Sequence, residues 1–436
     1  MRSTLPLLAL SLAALTASGA SAGGKTALLT KGASDQGVNL FFDRPAVSGD
    51  GRFVAFAGNA TGVVPEDQDG NFDVFLRDRK KKKTTRISVP AAGGDADGWS
   101  HAPSISANGR FVAYASSATN LSLGGLNPEQ DVFVYDRKLG STELISVKWI
   151  NVGGIVLPIG ANGSCFRPSI SGDGRFVAYA SNADNLAVPA SSTETNVYVH
   201  DRELGVTTLA SQNAFHQAAS DGCFLPALSA DGTRVAFVSR ATNLGPAVSG
   251  VDLQLYVRDL GSDVVTLVSA APSGAQGDGL STNPSISANG RFVGFSSVAS
   301  NLVGGDTNGA QEVFVRDLKK AITHRIALDT KGNQAAAGSF DASLSGNGRY
   351  VAFSTQAPLV KSDKDGEMDV YLHDLKKGKA KRISRGKKKK KAPNGSSVDP
   401  VVDTKGRFIA FRSHASNLVN GDGNSIDDVF LHDREN

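Results

Sequence analysis

Four short stretches of the chain place acidic or amide side chains at i, i+2 and i+6 beside a glycine. They are Asp67, Asp69 and Asp73; Asp306, Asn308 and Glu312; Asp363, Asp365 and Asp369; and Asp422, Asn424 and Asp428. Oxygen donors spaced this way around a bend could wrap a hard cation such as Ca2+. The spacing matches the latter part of a D-x-D-x-D-G-x-x-D loop. Its first Asp is missing, because Pro65, Gly304, Lys361 and Asn420 stand there. The same residue types also suit a solvated polar turn, where Asp, Asn and Gly serve their backbone preferences. Both readings stay open at this point.

Other reactive side chains are sparse. Cys165 and Cys223 each lie three residues before a repeated proline. They either form a disulfide, as an oxidising compartment favours, or stay as two buried thiols. No histidine partner is spaced to make either one a nucleophile. His200, His373 and His432 share one position of a repeat, which reads as structural; His101, His216, His324 and His414 are scattered. There is no G-x-S-x-G elbow, phosphate loop or zinc spacing, so no catalytic residue is expected. Lysine runs at Lys80 to Lys83 and Lys387 to Lys391 read as solvated loops on opposite faces. A formal net charge of +4 over 436 residues is too small to imply a nucleic-acid partner.

These residues sit on a repeat. The string PSISANGRFVAYASSATNL begins at Pro103, and its relatives begin at Pro45, Pro168, Pro226, Pro284, Ala342 and Pro400. The spacing is 58 residues except for one of 65, where Lys148 to Ile159 form an insertion. Each copy reads as four short strands. An Asp-Gly or Asn-Gly hairpin turn follows the first strand in six copies, and Lys405-Gly406 replaces it in the seventh. Arg52, Arg110, Arg175, Arg291, Arg349 and Arg407 open the second strand. Asp78, Asp136, Asp201, Asp259, Asp317, Asp374 and Asp433 close the third. Antiparallel pairing predicts an Arg–Asp bridge in each blade except the fourth, where Thr233 holds the Arg position.

Seven such units predict an all-β, seven-bladed propeller spanning 23–436. Thr26 to Thr30 match the fourth-strand pattern, which the seventh copy lacks, so an N-terminal strand should complete the last blade. Residues 1–22 read as a signal peptide cleaved after Ala22. The chain is therefore expected to be secreted, periplasmic or extracellular, with no integral membrane segment, and to act as a monomer.

The shared pattern P-x-[IVL]-S-x-[DN]-G-R-F-V-A-[FY], followed by an Asp-Val-Phe-Val-x-Asp-Arg strand, resembles the TolB-like (WD40-like) β-propeller repeats of secreted bacterial proteins. That resemblance implies an interaction platform. Seven copies differ from the six blades and extra domain of TolB itself. Function is then sought where blades differ. The loops before each repeat carry Phe41, Phe42, Trp99, His101, Phe166, Arg167, Phe224 and Phe340. Of these, Trp99, His101, Phe166, Arg167 and Phe224 are the expected binding residues at the channel mouth, for a protein, peptide or glycan partner. The alternative is a propeller-type lyase or glycosidase with a hidden channel site, which would need carboxylates and a His or Tyr to converge.

Overall fold

A computed structural model describes residues 24–30, 43–59, 63–64, 67, 69–122, 129–152, 155–187, 194–245, 249–387, 392–422 and 426–435. The predicted signal peptide lies outside the described residues, as do Phe41, Phe42, Asn424 and Lys388 to Lys391. Among the described residues no helix is long and apolar enough to cross a membrane.

The chain folds into seven four-stranded antiparallel sheets, the blades of a β-propeller. In blade two the strands are Ser100–Ile105, Phe111–Ser116, Asp131–Asp136 and Ser141–Leu144, paired in that order. The second and third strands of every blade are buried on both faces, because each blade is sandwiched between two neighbours. That double burial is why they read as unbroken apolar runs rather than alternating ones. One aromatic pair crosses these two strands in each blade. Phe56 and Phe75 stack at 5.6 Å in blade one, and Phe411 and Phe430 at 5.8 Å in blade seven.

Blade seven is built from both ends of the chain. Lys25–Leu28 pairs antiparallel with Asp428–Asp433, with Lys25 opposite Asp433, and so supplies the outer strand. The insertion forms an extra hairpin, Val147–Val152 with Ile155–Gly160, leaning on the outer strand of blade three.

The hairpin turns show what the repeat motif does. The Ser48 hydroxyl donates to Asp50 and accepts from the Phe53 amide, while Asp50 also accepts from the Arg52 amide. Gly51 has φ +69°, and a Cβ there would lie 2.0 Å from the Phe408 ring of the preceding blade, so the position admits only glycine. In blade seven Asp403 accepts from both Arg407 and Phe408 amides, which is why Lys405 can replace the usual Asp or Asn.

The Arg–Asp bridges form, for instance from Arg52 Nε and Nη2 to Asp78 at 3.1 and 2.7 Å. The sequence predicted a gap in blade four, and the structure fills it. Arg234, one residue on, donates to Asp259 at 2.9 Å, in the strand position that Phe or Tyr holds in the other blades.

The possible disulfide is not formed: Cys165 and Cys223 are free and buried. They occupy a slot that is serine in blades two, five, six and seven, at the start of the innermost strand, where Ser100 and Ser116 lie 2.9 Å apart. Cys165 Sγ accordingly donates to Ser181 at 3.1 Å in its own blade. Each side chain points at its own second strand and packs in a separate apolar cluster, which keeps the sulfurs from meeting. Burial pushes both thiols well above the ordinary cysteine range, so neither is a nucleophile at neutral pH.

Candidate functional site at the channel mouth

The inner strands of blades two to seven each enter the channel through a β-bulge. Pairing with the second strand slips between His101 and Ser104, Phe166 and Ser169, and at the equivalent residues of blades four to seven. One residue per bulge is left-handed: Ala102, Arg167, Leu225, Asn283, Asp341 and Asp399, with φ from 52° to 61°. Such a backbone costs on the order of 1 kcal/mol or more for a non-glycine residue. Its recurrence makes it part of the fold, and it sets one side chain per blade at the mouth. With Arg44 of blade one, these residues form a ring whose chemistry changes from blade to blade.

Arg44, Ala102, Arg167, Leu225 and Asn283, with four prolines and Asp43, enclose about 180 Å3. That is too small for a sugar or a peptide segment, since ligand pockets run to roughly 300 Å3 and above.

The ring is mostly charge-paired. Arg44 Nη2 lies 2.8 Å from Asp341. Arg412 donates to Asp399 at 2.8 Å and to Asp427 at 3.0 Å. Burial and the neighbouring Asp341 raise the Asp399 carboxyl above its ordinary value, against the pull of Arg412. Asp43 accepts from the Ala102 amide at 2.7 Å and lies 3.1 Å from His101 Nδ1. The Gln130 amide meets His101 Nε2, so the tautomer that serves both partners carries its proton on Nδ1. Burial acts to raise Asp43. The His101 bond, the Ala102 amide and the field of Arg167 outweigh it and hold the carboxyl below its usual value. Arg167 is exposed and has no hydrogen-bond or ion-pair partner among the described residues.

The expected binding residues are thus only partly brought together. His101 and Arg167 converge on Asp43. Trp99 stands on the rim, 52% exposed, with its ring edge-on to Phe72 at 5.5 Å. Phe166 sits half-buried beside the Arg167 bulge. Phe224 turns away, back over Gly222 and into the apolar cluster between blades four and five. Sequence reasoning missed Asp43, Arg44, Gln130, Asp341, Asp399 and Arg412. The signal was present: Asp43 and His101 are 58 residues apart, one repeat, and equivalent positions of adjacent blades are neighbours around a ring.

The acidic loops lie elsewhere. Asp67, Asp69 and Asp73, and likewise Asp363, Asp365 and Asp369, bring carboxylate oxygens within 4.8 Å of one another, close enough to hold a metal ion. A guanidinium already stands at each. Arg382 Nη1 lies 3.1, 3.1 and 2.8 Å from Asp363, Asp365 and Asp369. Arg86 Nη1 lies 3.7 and 3.3 Å from Asp67 and Asp73. Arg325 pairs with Asp306 and Glu312 at 3.2 and 2.7 Å, and Asn308 donates to Glu312 at 3.3 Å. In blade seven, the Thr30 hydroxyl donates to Asp428, and Asp422 lies in the same loop. In these three loops a guanidinium counters the carboxylates that a cation would share, although both Asp67 oxygens are buried without a hydrogen-bond partner. The arginines recur at one fourth-strand position, a sequence signal that the loop spacing alone does not contain.

No family model and no curated protein matches the chain. Solved structures share its fold. An oligogalacturonate lyase in complex with manganese aligns with a TM-score of 0.54 at 12% identity, covering 95% of this chain and 94% of that one. The β-propeller domain of the Trilobed protease from Pyrococcus furiosus, described as having an open velcro topology, aligns at 0.52 and 10% identity, covering 90% and 95%. TolB from Acinetobacter baumannii is also similar, at 0.40 and 13% identity over 71% of this chain and 58% of that one. At these identities the first two likenesses show the propeller fold alone.

Proposed function

We propose that the chain is a non-enzymatic binding propeller acting outside the cytoplasm, which holds a protein, peptide or glycan partner at its channel mouth through an acidic group on that partner. The observation that carries this reading is Arg167. It is the mouth guanidinium with no hydrogen-bond or ion-pair partner among the described residues, whereas Arg44 and Arg412 are paired, and a bulge holds it in place. A planar guanidinium is suited to a carboxylate. Asp43 and His101 beside it offer an acceptor and an aromatic edge, and the Trp99 rim adds an apolar surface of the kind that anchors interfaces.

The test is a panel of acidic and neutral oligosaccharides and peptides. Acidic members should bind the native chain, and Arg167→Ala together with Trp99→Ala should abolish capture with little change in melting temperature. Binding that ignores Arg167 would overturn the proposal.

A second reading rests on the Asp43–His101–Gln130 chain, which could move a proton at His101 next to a bound acid. A lyase-type reaction would then be the activity, as in the structurally similar oligogalacturonate lyase. Turnover of an acidic glycan that disappears in His101→Ala would favour it over binding alone.

A further inference from the structure

At the opposite end of the blades, the residue after each third strand covers the cleft to the preceding blade. In four blades it is arginine. Arg79 stacks over Phe408 at 4.5 Å, Arg137 over Phe53 at 4.2 Å, Arg202 over Phe111 at 4.5 Å, and Arg434 over Tyr350 at 4.3 Å. Each also donates to the turn glycine of its own blade, as Arg79 does to Gly51 at 2.6 Å and Arg137 to Gly109 at 2.9 Å. In blades four, five and six the residue is Leu260, Leu318 or Leu375, and at each of these clefts a cavity opens, of about 770, 440 and 400 Å3. The cleft that Arg137 closes retains about 240 Å3.

The three open clefts differ. Between blades four and five the aromatic floor is replaced by Arg234, and between five and six Lys320, Arg349 and Lys376 line the walls. Both would repel a second cation. Between blades three and four the floor is the Phe176 ring, with Gly232 in the place of the accepting glycines. Asp201, Asp231, Asp259 and Asp263 line this cleft with Arg258, and the Phe176 ring carries only its own blade's Arg175, at 4.8 Å, where the four lidded rings carry their own blade's arginine and the lid arginine as well. Arg175, Arg234 and Arg258 engage three of those carboxylates. The Asp231 carboxylate accepts only from Ser229 and Thr233 of its own turn and has no cationic partner among the described residues.

We propose that the cleft between blades three and four receives an arginine side chain from a partner peptide, which takes the place of the missing lid. The fold itself supplies the template four times: a guanidinium over the ring and a glycine carbonyl to accept its hydrogen bond. Leu260 is too short to reach across the ring, so it opens the space without filling it. Charge complementarity at Asp231 sets this cleft apart from its two neighbours. The site is remote from Arg167 and independent of the channel-mouth reading.

The full chain can be titrated by calorimetry with the peptide acetyl-Gly-Arg-Gly-amide and with its citrulline counterpart, which keeps the shape and removes the charge. The arginine peptide should bind saturably and the citrulline peptide about tenfold or more weakly, the scale of one cation–π contact. Leu260→Arg should close the cleft from within and abolish binding without lowering the melting temperature. Asp231→Asn should weaken it; asparagine holds the same turn position in blades two, five and six, so this variant keeps the fold. Arg167→Ala should leave it unchanged. Absence of saturable binding, equal binding of the citrulline peptide, or indifference to Leu260→Arg would each overturn the proposal.

Discussion

Blades six and seven carry the same type of acidic loop and differ in what stands across from it. In blade six Tyr371 pairs with Arg382, whose guanidinium reaches all three carboxylates. In blade seven the equivalent Phe430 pairs with Leu28, brought from the other end of the chain. Both blades keep a hydroxyl on the carboxylate that opens the third strand, from Ser384 to Asp369 and from Thr30 to Asp428. Leu144, Leu209 and Leu267 take the arginine position in blades two, three and four, whose loops lack the acidic spacing. The loop and the fourth strand therefore act as one unit in blades one, five and six. Blade seven has the loop without the cation, because its fourth strand has a different origin in the chain.

That origin predicts the largest effect. Deleting residues 23–31 removes the outer strand of blade seven and exposes the edge of Asp428–Asp433. The melting temperature should fall by about 10 °C or more, with limited proteolysis cutting blade seven first while blade six stays protected. Equal protection of the two blades would mean that the composite blade does not need its borrowed strand.

A smaller effect should come from making blade six resemble blade seven. Arg382→Leu strands three close carboxylates without their cation, a loss of about 3–5 kcal/mol for breaking a buried pair. Added Ca2+ should then raise the melting temperature of the variant by mass action, whereas chelator should leave the native chain unmoved. A native chain that melts lower in chelator would show that an ion, and not arginine, neutralises the loops.

The smallest effect is a pH dependence carried in large part by the acidic loops. Burial raises Asp67 and Asp369 to about 7 and Asp73 to about 6. Unfolded aspartates release their protons near about 4. Between those values the folded chain holds more protons than the unfolded one, so this part of the stability is present at low pH and is lost as pH rises through about 7. Asp78, held at about 2 chiefly by its bond from Arg52, acts in the opposite sense, but only at pH values below about 4. Melting at about pH 5 and about pH 8 reads this contribution together with that of Asp131, raised to about 6 by burial, and the opposing one of His200 and His432, lowered by burial to about 4, so a substitution is needed to separate it. Asp67→Asn should reduce the difference and raise the melting temperature at the higher pH by about 1–2 °C. An unaltered difference would mean that Asp67 is ionised throughout.

The blade count, the four-strand unit and the closing N-terminal strand were all legible in the sequence. Each rests on local chemistry: paired apolar strands, a glycine that must be left-handed, and a strand pattern absent at one end and present at the other. The Arg–Asp bridges were legible for the same reason, and blade four was misjudged only because its arginine is displaced by one residue. The acidic spacing was equally visible, but its meaning was not, since Arg86, Arg325 and Arg382 reach it from a different strand.

The channel mouth shows where sequence reading stops. His101 and Arg167 stood out in the sequence, but Asp43, Asp341 and Asp399, on three other blades, look unremarkable in line. Closing the ring sets repeat-equivalent residues side by side, and the bulge turns one from each blade toward the axis. Phe224, of the same repeat position as His101, folds instead into the inter-blade core, and Cys165 and Cys223 fill serine slots rather than meeting. Local sequence determines which strands form and how they pair, because those contacts are short-range and repeated. Only the closed ring decides which charges face each other and which cleft goes uncovered, because those pairings join residues a whole repeat or more apart.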